Sequence, residues 1–398
     1  MPYGQEAIGW RREFNRKFVM STQRIAIRGG MHSRRHTPME CPVTPNCSPG
    51  SVLLREDTGK VLPCQIVDDR LHWIIDDLPA GATCNLVLRT QDDLDESTGV
   101  KLTDSQRPGA LAIEISGQPF ATYHYADVPF RPYFHPVCGP GGVQITRNYP
   151  MVSGVKGETE DHHHHRSVWV AFGEVNGSDN WSEEQGHSGF QVHRKTTKML
   201  DGPVLGLFEH EIDWLTAKRD RVLTETRTIC AYNTPDDVRS LDMTVRFTAD
   251  HGRVVFGDTK EGGICSVRVA TSMDGNKAGR IENSAGGIGE AETWGKPAHW
   301  CDYSGPCGGQ QVGIAIFDHP MNLRHPTPWH VRNYGLMSAN PFGHAAYKSS
   351  LLKDGTYVLE AGESLTFNYR IFIHAGDATA ANVRDRYHDY LHPPAVEM

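Results

Sequence analysis

The sequence has few of the features that mark the common functional classes of proteins. No stretch approaches about 18 consecutive apolar residues, so no segment is expected to span a membrane. With a formal net charge of −8 and no long basic run, the chain is poorly suited to binding nucleic acid. The Gly-x-Ser-x-Gly, His-Glu-x-x-His, phosphate-loop and dinucleotide-binding patterns are missing. Their absence argues against the families of hydrolases, zinc proteases and nucleotide-binding proteins that they mark.

A secretory signal and a regular cysteine framework are also missing. The first residues include Arg11, Arg12, Arg16 and Lys17 but no apolar run of the kind that directs export. We expect residues 1–21 to be a disordered extension and the protein to be cytoplasmic. The nine cysteines are odd in number and irregularly spaced, which predicts reduced thiols and no cysteine-based zinc site.

Helical periodicity is nearly absent, and short β-branched and aromatic runs separated by Gly, Pro, Asn and Asp recur instead. This pattern predicts an all-β protein with a large antiparallel two-sheet sandwich. We predict a small N-terminal β domain over residues 22–105 and the large domain over 106–398, with the polar stretch 91–108 as linker or long loop. One C-terminal helix is predicted over residues 378–391, capped by Asp377. The predicted strands are 52–55, 61–67, 71–75, 84–89, 110–116, 120–125, 167–172, 189–195, 204–214, 221–230, 241–247, 264–271, 311–317 and 364–374.

The segment 221–230 alternates in a way that gives a strand two unlike faces. Glu225 and Arg227 share one face with Leu223 and Ile229. Because this face carries charges, we predict that it is wet and faces either solvent or a concave cleft.

Histidine is abundant, with 21 residues of 398, and fifteen of these lie between His124 and His344. The densest segment is the run 162–165, which leads into a predicted apolar strand. If the run is extended, His163 and His165 share one face. Such a pair can bind a divalent metal ion, or it can supply acid–base groups and substrate contacts, because imidazole serves all these roles. The structural alternative is a polar loop whose histidines bond to backbone carbonyls.

Two further segments combine residue types that suit sugar binding. The turn-rich loop 174–181 holds Glu174, Asn176 and Trp181, whose polar groups can bond hydroxyls while the indole stacks on a ring. The alternative is an ordinary β-turn loop with a buried Trp. The segment 318–335 is rich in Pro, which stiffens a loop and suits a preorganised site, although a buried polar network that braces two strands is the alternative. The candidates in this segment are Asn322, Arg324, His325, Trp329, His330, Arg332 and Tyr334.

Three weaker candidates lie elsewhere. Arg147 follows the Gly-rich turn 138–142, which lacks the strand–helix context of a phosphate loop. Glu292 and Asp302 lie in an acidic, aromatic segment and can act as general bases if they are partly buried. The alternative for both carboxylates is ordinary surface charge.

Four stretches of the sequence resemble the bacterial family called methane oxygenase PmoA. They are RPYFHPVCGPGGVQITRNYPM (131–151), DHHHHRSVWVAFGEVNGSDNW (161–181), FDHPMNLRHPTPWHVRNYGLMSANPFG (317–343) and LEAGESLTFNYRIFIHAGD (359–377). The resemblance covers about residues 22–390 and implies a soluble protein with a galactose-mutarotase-like super-sandwich. It also implies a role in carbohydrate catabolism, since relatives accompany sugar dehydrogenases and isomerases. The sequence departs from many relatives in lacking a signal peptide.

These features together predict a carbohydrate-active enzyme of the glycoside hydrolase or lyase type, acting on sugars that include oxidised ones. Its cleft is expected where residues 162–165 and 319–330 meet. The expected partner is a small molecule or an oligosaccharide, with no nucleic acid and no membrane. The expected catalytic residues are His163, His165, His325, His330, Glu292 and Asp302. The expected sugar-binding residues are Arg147, Arg166, Glu174, Asn176, Trp181, Asn322, Arg324, Trp329, Arg332 and Tyr334.

Three alternatives to that function stay open from the sequence. They are a sugar epimerase or mutarotase, a non-catalytic sugar-binding protein, and a His-based metal-dependent oxygenase. No cofactor is required by the first two. The third needs a metal ion, for which His163 and His165 are the expected ligands.

Overall fold

The computed structural model describes residues 23–43, 47, 50–90, 98–105, 107–348 and 352–398. Within these residues the regular secondary structure is almost entirely β-strand. The helices are α1 (Gly289–Thr293) and α2 (Val383–Leu391). The strands are β1 (Arg24–Arg28), β2 (Arg34–Pro42), β3 (Ser51–Arg55), β4 (Val61–Val67), β5 (Arg70–Leu78), β6 (Thr83–Thr90), β7 (Val100–Asp104), β8 (Ala110–Ile115), β9 (Gln118–His124), β10 (Tyr133–Val137), β11 (Val168–Phe172), β12 (Phe190–Leu200), β13 (Leu205–Leu215), β14 (Arg221–Tyr232), β15 (Val238–Thr248), β16 (Val254–Phe256), β17 (Gly262–Arg268), β18 (Arg280–Asn283), β19 (Trp300–Cys307), β20 (Gln310–Asp318), β21 (Trp329–Arg332), β22 (Leu336–Ala339), β23 (Tyr357–Leu359), β24 (Ser364–Ala375) and β25 (Ala395–Glu397).

The N-terminal strands form a seven-stranded antiparallel sheet in the order β2-β5-β4-β3-β6-β1-β25. Alternate side chains of β1 and β5 point to one face, where Ile25, Ile27, Leu71 and Trp73 are buried in one apolar cluster. The last strand of the chain completes this sheet, because β25 pairs with β1 and places Val396 opposite Ile27. The two ends of the described chain therefore meet in one small sheet.

Two eight-stranded antiparallel sheets form the large sandwich. Their strand orders are β21-β22-β17-β11-β10-β9-β8-β7 and β12-β13-β14-β15-β24-β20-β19-β18. The core between them is built from alternate residues, such as Val168 and Val170 of β11 and Met243 and Val245 of β15. Burial of such side chains is the main source of stability in a sandwich. The prediction of an all-β protein with a large antiparallel two-sheet sandwich is confirmed.

The C-terminal helix packs on the outer face of the second large sheet, where Val383 of α2 shares an apolar cluster with Phe317 of β20. The helix predicted over residues 378–391 is present but starts later, at Val383. The chain before it forms a turn, in which the Ala380 N–H donates to Asp377 Oδ1 at 2.9 Å. Among the described helices, none combines the length and the apolar composition that a membrane crossing needs.

Each predicted strand overlaps an observed strand, because long alternating runs of β-branched and aromatic residues mark them clearly. Most of the additional strands are short, polar or at sheet edges, and their sequence pattern is correspondingly weak. The exception is β19, which is eight residues long, buried and inside its sheet. The strands that the pattern does not predict are β1, β2, β7, β10, β16, β18, β19, β21, β22, β23 and β25.

The charged face of β14 points into the sandwich core. Glu225 and Arg227 are buried, and Arg227 Nε donates to Glu225 Oε1 at 2.6 Å. Trp214 Nε1 donates to Glu225 Oε2 at 2.7 Å, and Arg227 Nη1 donates to the Tyr123 hydroxyl at 3.2 Å. The prediction of a wet face is wrong, because these partners replace water around both charges.

One strand of the predicted small domain pairs with the large sandwich. Strand β7 falls within the predicted small domain, 22–105, yet it pairs with β8 of the large sandwich and places Leu102 opposite Ile113. Part of the predicted linker 91–108 is therefore an edge strand of the large sandwich. Residues 91–97 and the predicted disordered extension 1–21 lie outside the described residues. The division of the chain into domains stays a prediction.

Candidate functional site

A cavity of about 460 Å³ opens on the first large sheet, on the face that points away from the sandwich core. Strand alternation sets this direction: Trp329 and Val331 of β21 lie in the core, so His330 and Arg332 point to the other face. The cavity thus brings β21 together with the histidine run 162–165. The lining residues are His162, His164, His165, Trp181, Ser182, Lys260, Glu261, His330, Arg332 and Tyr334.

The four-histidine run is a turn and not an extended strand. The His165 N–H donates to the His162 carbonyl oxygen at 3.0 Å, and His162 has a left-handed φ of 47°. His162, His164 and His165 line the cavity, whereas His163 is exposed and lies outside the lining. The predicted alternation of faces is wrong, because a turn sets the directions of these side chains.

Arg268 fixes the position of the proton on His165. Its Nη1 donates to His165 Nδ1 at 2.9 Å. A guanidinium group can only donate, so Nδ1 carries the lone pair and Nε2 carries the hydrogen. Burial, together with the nearby His164 and Arg268, holds the pKa of His165 well below its usual value. His165 is therefore a neutral Nε2–H donor at neutral pH.

Asp161 joins two buried arginines to the histidine run. Arg147 Nη1 and Arg268 Nη2 both donate to Asp161 Oδ1, the second at 2.8 Å. Asp161 Oδ2 lies 3.1 Å from His162 Nδ1. Arg147 also donates to the carbonyl oxygens of Tyr149 and His162, at 3.1 Å each. The expected sugar-binding residue Arg147 thus shapes this loop and lies outside the cavity lining.

Arg166, another expected sugar-binding residue, forms a buried ion pair behind the cavity. Its Nε and Nη2 donate to the two carboxylate oxygens of Glu183, at 2.7 and 2.5 Å. Arg131 Nε lies 3.3 Å from the same carboxylate, and its Nη2 donates to the Trp181 carbonyl at 2.7 Å. Burial lowers the pKa of Arg131 to about 10. This cluster holds the backbone of Trp181 and does not reach the cavity.

Trp181 and Tyr334 supply the aromatic walls of the cavity. The Trp181 ring centroid lies 5.7 Å from those of His164 and His165. Tyr334 stacks on His162, with ring centroids 4.5 Å apart and planes inclined by 18°. Such ring contacts fix side-chain orientation as well as burying apolar area. The walls are therefore preformed.

Two imidazoles of the lining are held neutral. Burial, followed by the charges of Lys260 and Arg332, lowers the pKa of His330 to about 3. Burial, followed by the charge of Arg131, lowers the pKa of His164 to about 3 as well. At neutral pH neither ring carries the second proton that a general acid needs.

We expect His330 to make the fold less stable in acid. Its pKa of about 3 in the folded protein is below the ordinary 6.5, so the unfolded chain binds more protons and stability falls as the pH drops from 6.5 toward 3. In urea unfolding, the wild type should lose about 2 kcal/mol more than His330→Gln between pH 7 and pH 5. The exposed-site variant His187→Gln is the control and should follow the wild type. Equal losses in His330→Gln and the wild type would contradict this expectation.

The lining of the cavity carries two cations. Lys260 and Arg332 line it, and each lies beside one carboxylate. Behind the walls, Asp161 forms ion pairs with two arginines, and Glu183 forms ion pairs with two others. The two lining cations favour an anionic or strongly polarised oxygen beside them in the cavity.

Three expected sugar-binding residues lie outside the lining. Trp329 is buried in the core, and its indole N–H donates to a backbone carbonyl at 2.9 Å. Asn176 Oδ1 accepts a backbone N–H of β16 at 2.7 Å. Glu174 lies against Gly257, where a Cβ atom would come within 2.4 Å of its carboxyl carbon. From the loop 174–181, Trp181 is the residue that reaches the cavity.

Three further candidates lie in the loop before β21 and point elsewhere. Asn322 Nδ2 donates to Asp318 Oδ1 at 2.7 Å, and His325 Nδ1 lies 2.8 Å from Asp318 Oδ2. Arg324 donates to backbone carbonyl oxygens at 2.9 and 3.1 Å. His325 lines a different cavity from His330, so these two expected catalytic residues do not meet.

Neither of the two expected carboxylate bases reaches the cavity. Asp302 is fully buried, and its Oδ2 lies 2.8 Å from Nε2 of the equally buried His374. Glu292 is exposed, and its Oε2 accepts the Ile288 N–H at 3.0 Å. Among the described lining residues, Glu261 supplies the carboxylate.

Five lining residues are missing from the expected set. His162 and His164 belong to the four-histidine run. They are not among the expected site residues because the run is predicted as an extended strand, whereas it forms a turn. Lys260 and Glu261 come from the segment before β17, and no motif in the sequence connects that segment to the run. The five residues are His162, His164, Ser182, Lys260 and Glu261.

The side chains that the structure describes do not fit a metal ion. No group of three or more His, Cys, Asp or Glu among them is arranged to hold one. The expected ligand His163 lies outside the lining. Both nitrogens of His165 are occupied, Nδ1 by the Arg268 hydrogen bond and Nε2 by its own hydrogen.

Comparison with known proteins identifies a family but no established function. Residues 110–388 match a family described as a family of unknown function, DUF6807. No curated protein matches the sequence. A crystal structure of a putative aldose 1-epimerase from Escherichia coli K12 is 12% identical, with 70% of this chain and 100% of that chain covered and a TM-score of 0.26. At this TM-score the superposition does not indicate a function for this chain. The resemblance to the methane oxygenase family is not shown by these comparisons and stays a prediction.

Proposed function

Because the chain belongs to the family of unknown function DUF6807, we propose its activity from the cavity itself, as that of a carbohydrate-active lyase. The substrate is an oxidised sugar, with a carbonyl or carboxylate group next to an acidic C–H. The enzyme abstracts that proton and eliminates the glycosidic oxygen from the neighbouring carbon. The observation that carries this proposal is the meeting of a carboxylate-linked imidazole, aromatic walls and cations in one cavity.

The size and walls of the cavity suit a sugar ring. Its volume of about 460 Å³ lies within the usual range for small-molecule sites, about 300–1,000 Å³. The rings of Trp181 and Tyr334 offer flat apolar surfaces to the C–H face of a sugar. The neutral imidazoles of His164 and His165 offer hydrogen bonds to its hydroxyl groups.

The charge of the cavity supports an oxidised sugar over a neutral one. Proton removal next to a carbonyl or carboxylate places negative charge on the oxygen. Lys260 and Arg332 line the cavity and can stabilise that charge as it develops. A neutral glycoside develops no such negative charge during the reaction, so the two cations would not stabilise its transition state over its ground state.

His162 is the proposed general base. Its Nδ1 lies 3.1 Å from Asp161 Oδ2, and a carboxylate only accepts, so this contact favours the hydrogen on Nδ1. The lone pair is then on Nε2, which is the arrangement that lets an imidazole accept a proton. Two arginines hold Asp161 in place, so the orientation of His162 is supported from behind.

Tyr334 is the proposed general acid. Burial raises the pKa of its phenol, so the hydroxyl keeps its proton at neutral pH. In the reaction, the substrate C–H bond breaks and its proton goes to His162 Nε2 while a C=C bond forms. The C–O bond to the leaving group then breaks, and that oxygen takes the Tyr334 proton. The proton on His162 restores the phenol, directly or through water, and no oxidant or reductant is needed.

The same cavity does not suit ordinary glycoside hydrolysis. That reaction generally uses two carboxylates, one as acid and one as base or nucleophile. Among the described lining residues Glu261 is a carboxylate, and the expected partners Glu292 and Asp302 lie elsewhere. The lining therefore supports the lyase over the hydrolase in this proposal.

A non-catalytic sugar-binding protein is the second candidate. It is favoured by His164 and His330, whose pKa values of about 3 make them constant hydrogen-bonding groups at neutral pH. A binding protein needs fixed donors and aromatic walls but no base such as His162. It would hold the same sugars without converting them.

A comparison of three substrates in oxygen-18-labelled water tests the proposal. The panel is a glucoside, the same glucoside oxidised to a ketone at ring carbon 3, and a uronide that carries a glycosidic leaving group on ring carbon 4. We expect turnover of an oxidised member, a new C=C absorbance in the ultraviolet, and no label in the first sugar product. Label incorporated at the anomeric carbon in that first product would indicate a hydrolase. Binding of these sugars without turnover would indicate the binding protein.

A further inference from the structure

A second cavity, of about 370 Å³, lies between α2 and the loop that precedes β21. It shares no lining residue with the proposed sugar cavity. Its polar lining includes His299 and His325 from the sandwich and Arg384, His388 and His392 from the C-terminal segment. This cavity therefore includes His325, a histidine of the segment 318–335 that the proposed lyase reaction leaves unused.

A buried carboxylate anchors the polar wall of this second cavity. Asp318 is fully buried and accepts three hydrogen bonds, from Asn322 Nδ2 at 2.7 Å, the Thr327 N–H at 2.9 Å and His325 Nδ1 at 2.8 Å. Because a carboxylate only accepts, the hydrogen of the last bond belongs to His325 Nδ1. The lone pair of a neutral His325 is then on Nε2.

The hydrogen bond between Asp318 and His325 also sets the proton positions on a second, exposed imidazole, that of His299. His325 Nε2 lies 3.0 Å from His299 Nδ1, and one of these two atoms must donate. With the lone pair on His325 Nε2, His299 donates from Nδ1 and keeps its own lone pair on Nε2. His299 is exposed at the cavity, so the buried negative charge of Asp318 is connected through two rings to a basic nitrogen there.

The other lining residues indicate what kind of ligand would bind next to His299 Nε2. Arg384 is a permanent cation, and no carboxylate is among the lining residues that the structure describes. Trp300, Leu391 and Tyr387 give the cavity an apolar side. A ligand that satisfies both sides carries an oxyanion on an apolar or aromatic body.

We propose that this cavity is a second ligand site, which binds a small carboxylate or phosphate carried on an apolar body. On binding, His299 Nε2 takes one proton from solvent and pairs with the oxyanion together with Arg384. The positive charge gained by His299 is stabilised by Asp318 through the hydrogen bonds that link His299, His325 and Asp318. No covalent step is involved. The charged and titratable groups that face His299 are His325, Asp318 and His388, with the Tyr387 ring centroid 5.8 Å away.

The pH dependence of this site follows from those neighbours. Burial, followed by His325, lowers the pKa of His299 in the free protein. A bound oxyanion favours the charged imidazole and raises that pKa. Affinity should therefore increase as the pH falls from 8 to 6, and binding should consume protons in that range.

Calorimetry with benzoate and phenyl phosphate as probes tests the inference and compares the two oxyanions. Titrations at pH 6 and pH 8, in two buffers with different ionisation enthalpies, give the affinity and the number of protons taken up. For the wild type we expect several-fold tighter binding at pH 6 and uptake of about one proton. His299→Gln should abolish both the uptake and the pH dependence, and Arg384→Gln should weaken binding at both pH values. Both side chains are exposed, so folding should be unaffected.

Two controls separate this site from the sugar cavity and from surface charge. Arg246→Gln, at an exposed position that lines neither cavity, should bind both probes like the wild type. Arg332→Gln alters the sugar cavity and should also leave probe binding unchanged. Loss of binding in Arg332→Gln but not in Arg384→Gln would overturn the inference, as would equal affinity at pH 6 and pH 8. Because the probes are not sugars, these outcomes do not depend on the proposed lyase activity.

Discussion

His162→Ala should lower kcat/KM for an oxidised glycoside by about 100-fold or more, since a positioned general base contributes about 10²- to 10⁴-fold. In the wild type the base is oriented from two sides, by Asp161 at 3.1 Å from Nδ1 and by Tyr334 stacked at 4.5 Å. The side chain is exposed, so its removal should leave the fold intact. Steady-state kinetics measures the effect, and a thermal melt checks the fold.

The neighbouring histidine is a matched control for this variant. His163 belongs to the same turn and is also exposed, but it lies outside the cavity lining. His163→Ala should therefore keep kcat/KM within about twofold of the wild type, as expected for a surface change away from the site. Similar losses in the two variants would show that disturbance of the turn, and not loss of a base, explains the effect.

Glu183→Gln should destabilise the fold by about 3–5 kcal/mol, the range seen when one partner of a buried ion pair is removed. Glu183 is the carboxylate that faces Arg131 and Arg166, and all three side chains are buried. A neutral amide leaves two guanidinium groups in a dry environment without a counter-charge. Urea unfolding at neutral pH measures the change in the free energy of unfolding.

The adjacent residue offers the control for the ion-pair prediction. Glu184 is exposed, so Glu184→Gln should change the free energy of unfolding by less than about 0.5 kcal/mol. Because Arg131 also donates to the Trp181 carbonyl, Glu183→Gln should weaken sugar binding in the fraction that remains folded. A Glu183→Gln protein as stable as the wild type would refute the view that this cluster supports the cavity wall.

The strands of the sandwich could be predicted from sequence because their signal is local. In β15, for example, Met243, Val245 and Phe247 alternate with polar residues and are buried in the core. The charged alternation of β14 misled for a physical reason, since Glu225 and Arg227 neutralise each other inside the core. Sequence shows that two charges share a face but not that they are each other's partners.

The site could be predicted in part. The alternation of β21 already separates Trp329 from His330 and Arg332, so it indicates that core and cavity residues interleave there. The division between His325 and His330 could not be predicted, because it depends on the hydrogen bond of His325 to the buried Asp318. The contribution of Lys260 and Glu261 depends on tertiary packing alone. Contacts between segments that are far apart in the chain do not produce a periodic pattern in the sequence, so they cannot be predicted from it.

Solvent deuterium exchange tests whether His162 removes a proton next to the oxidised carbon of a sugar. The wild type is incubated in heavy water with the oxidised glycoside, and the label in recovered substrate and product is read by mass spectrometry and NMR. We expect wild-type-catalysed deuterium incorporation at the carbon next to the carbonyl of recovered substrate, retained in His163→Ala and lost in His162→Ala. Exchange at the wild-type rate in His162→Ala would contradict this role of His162.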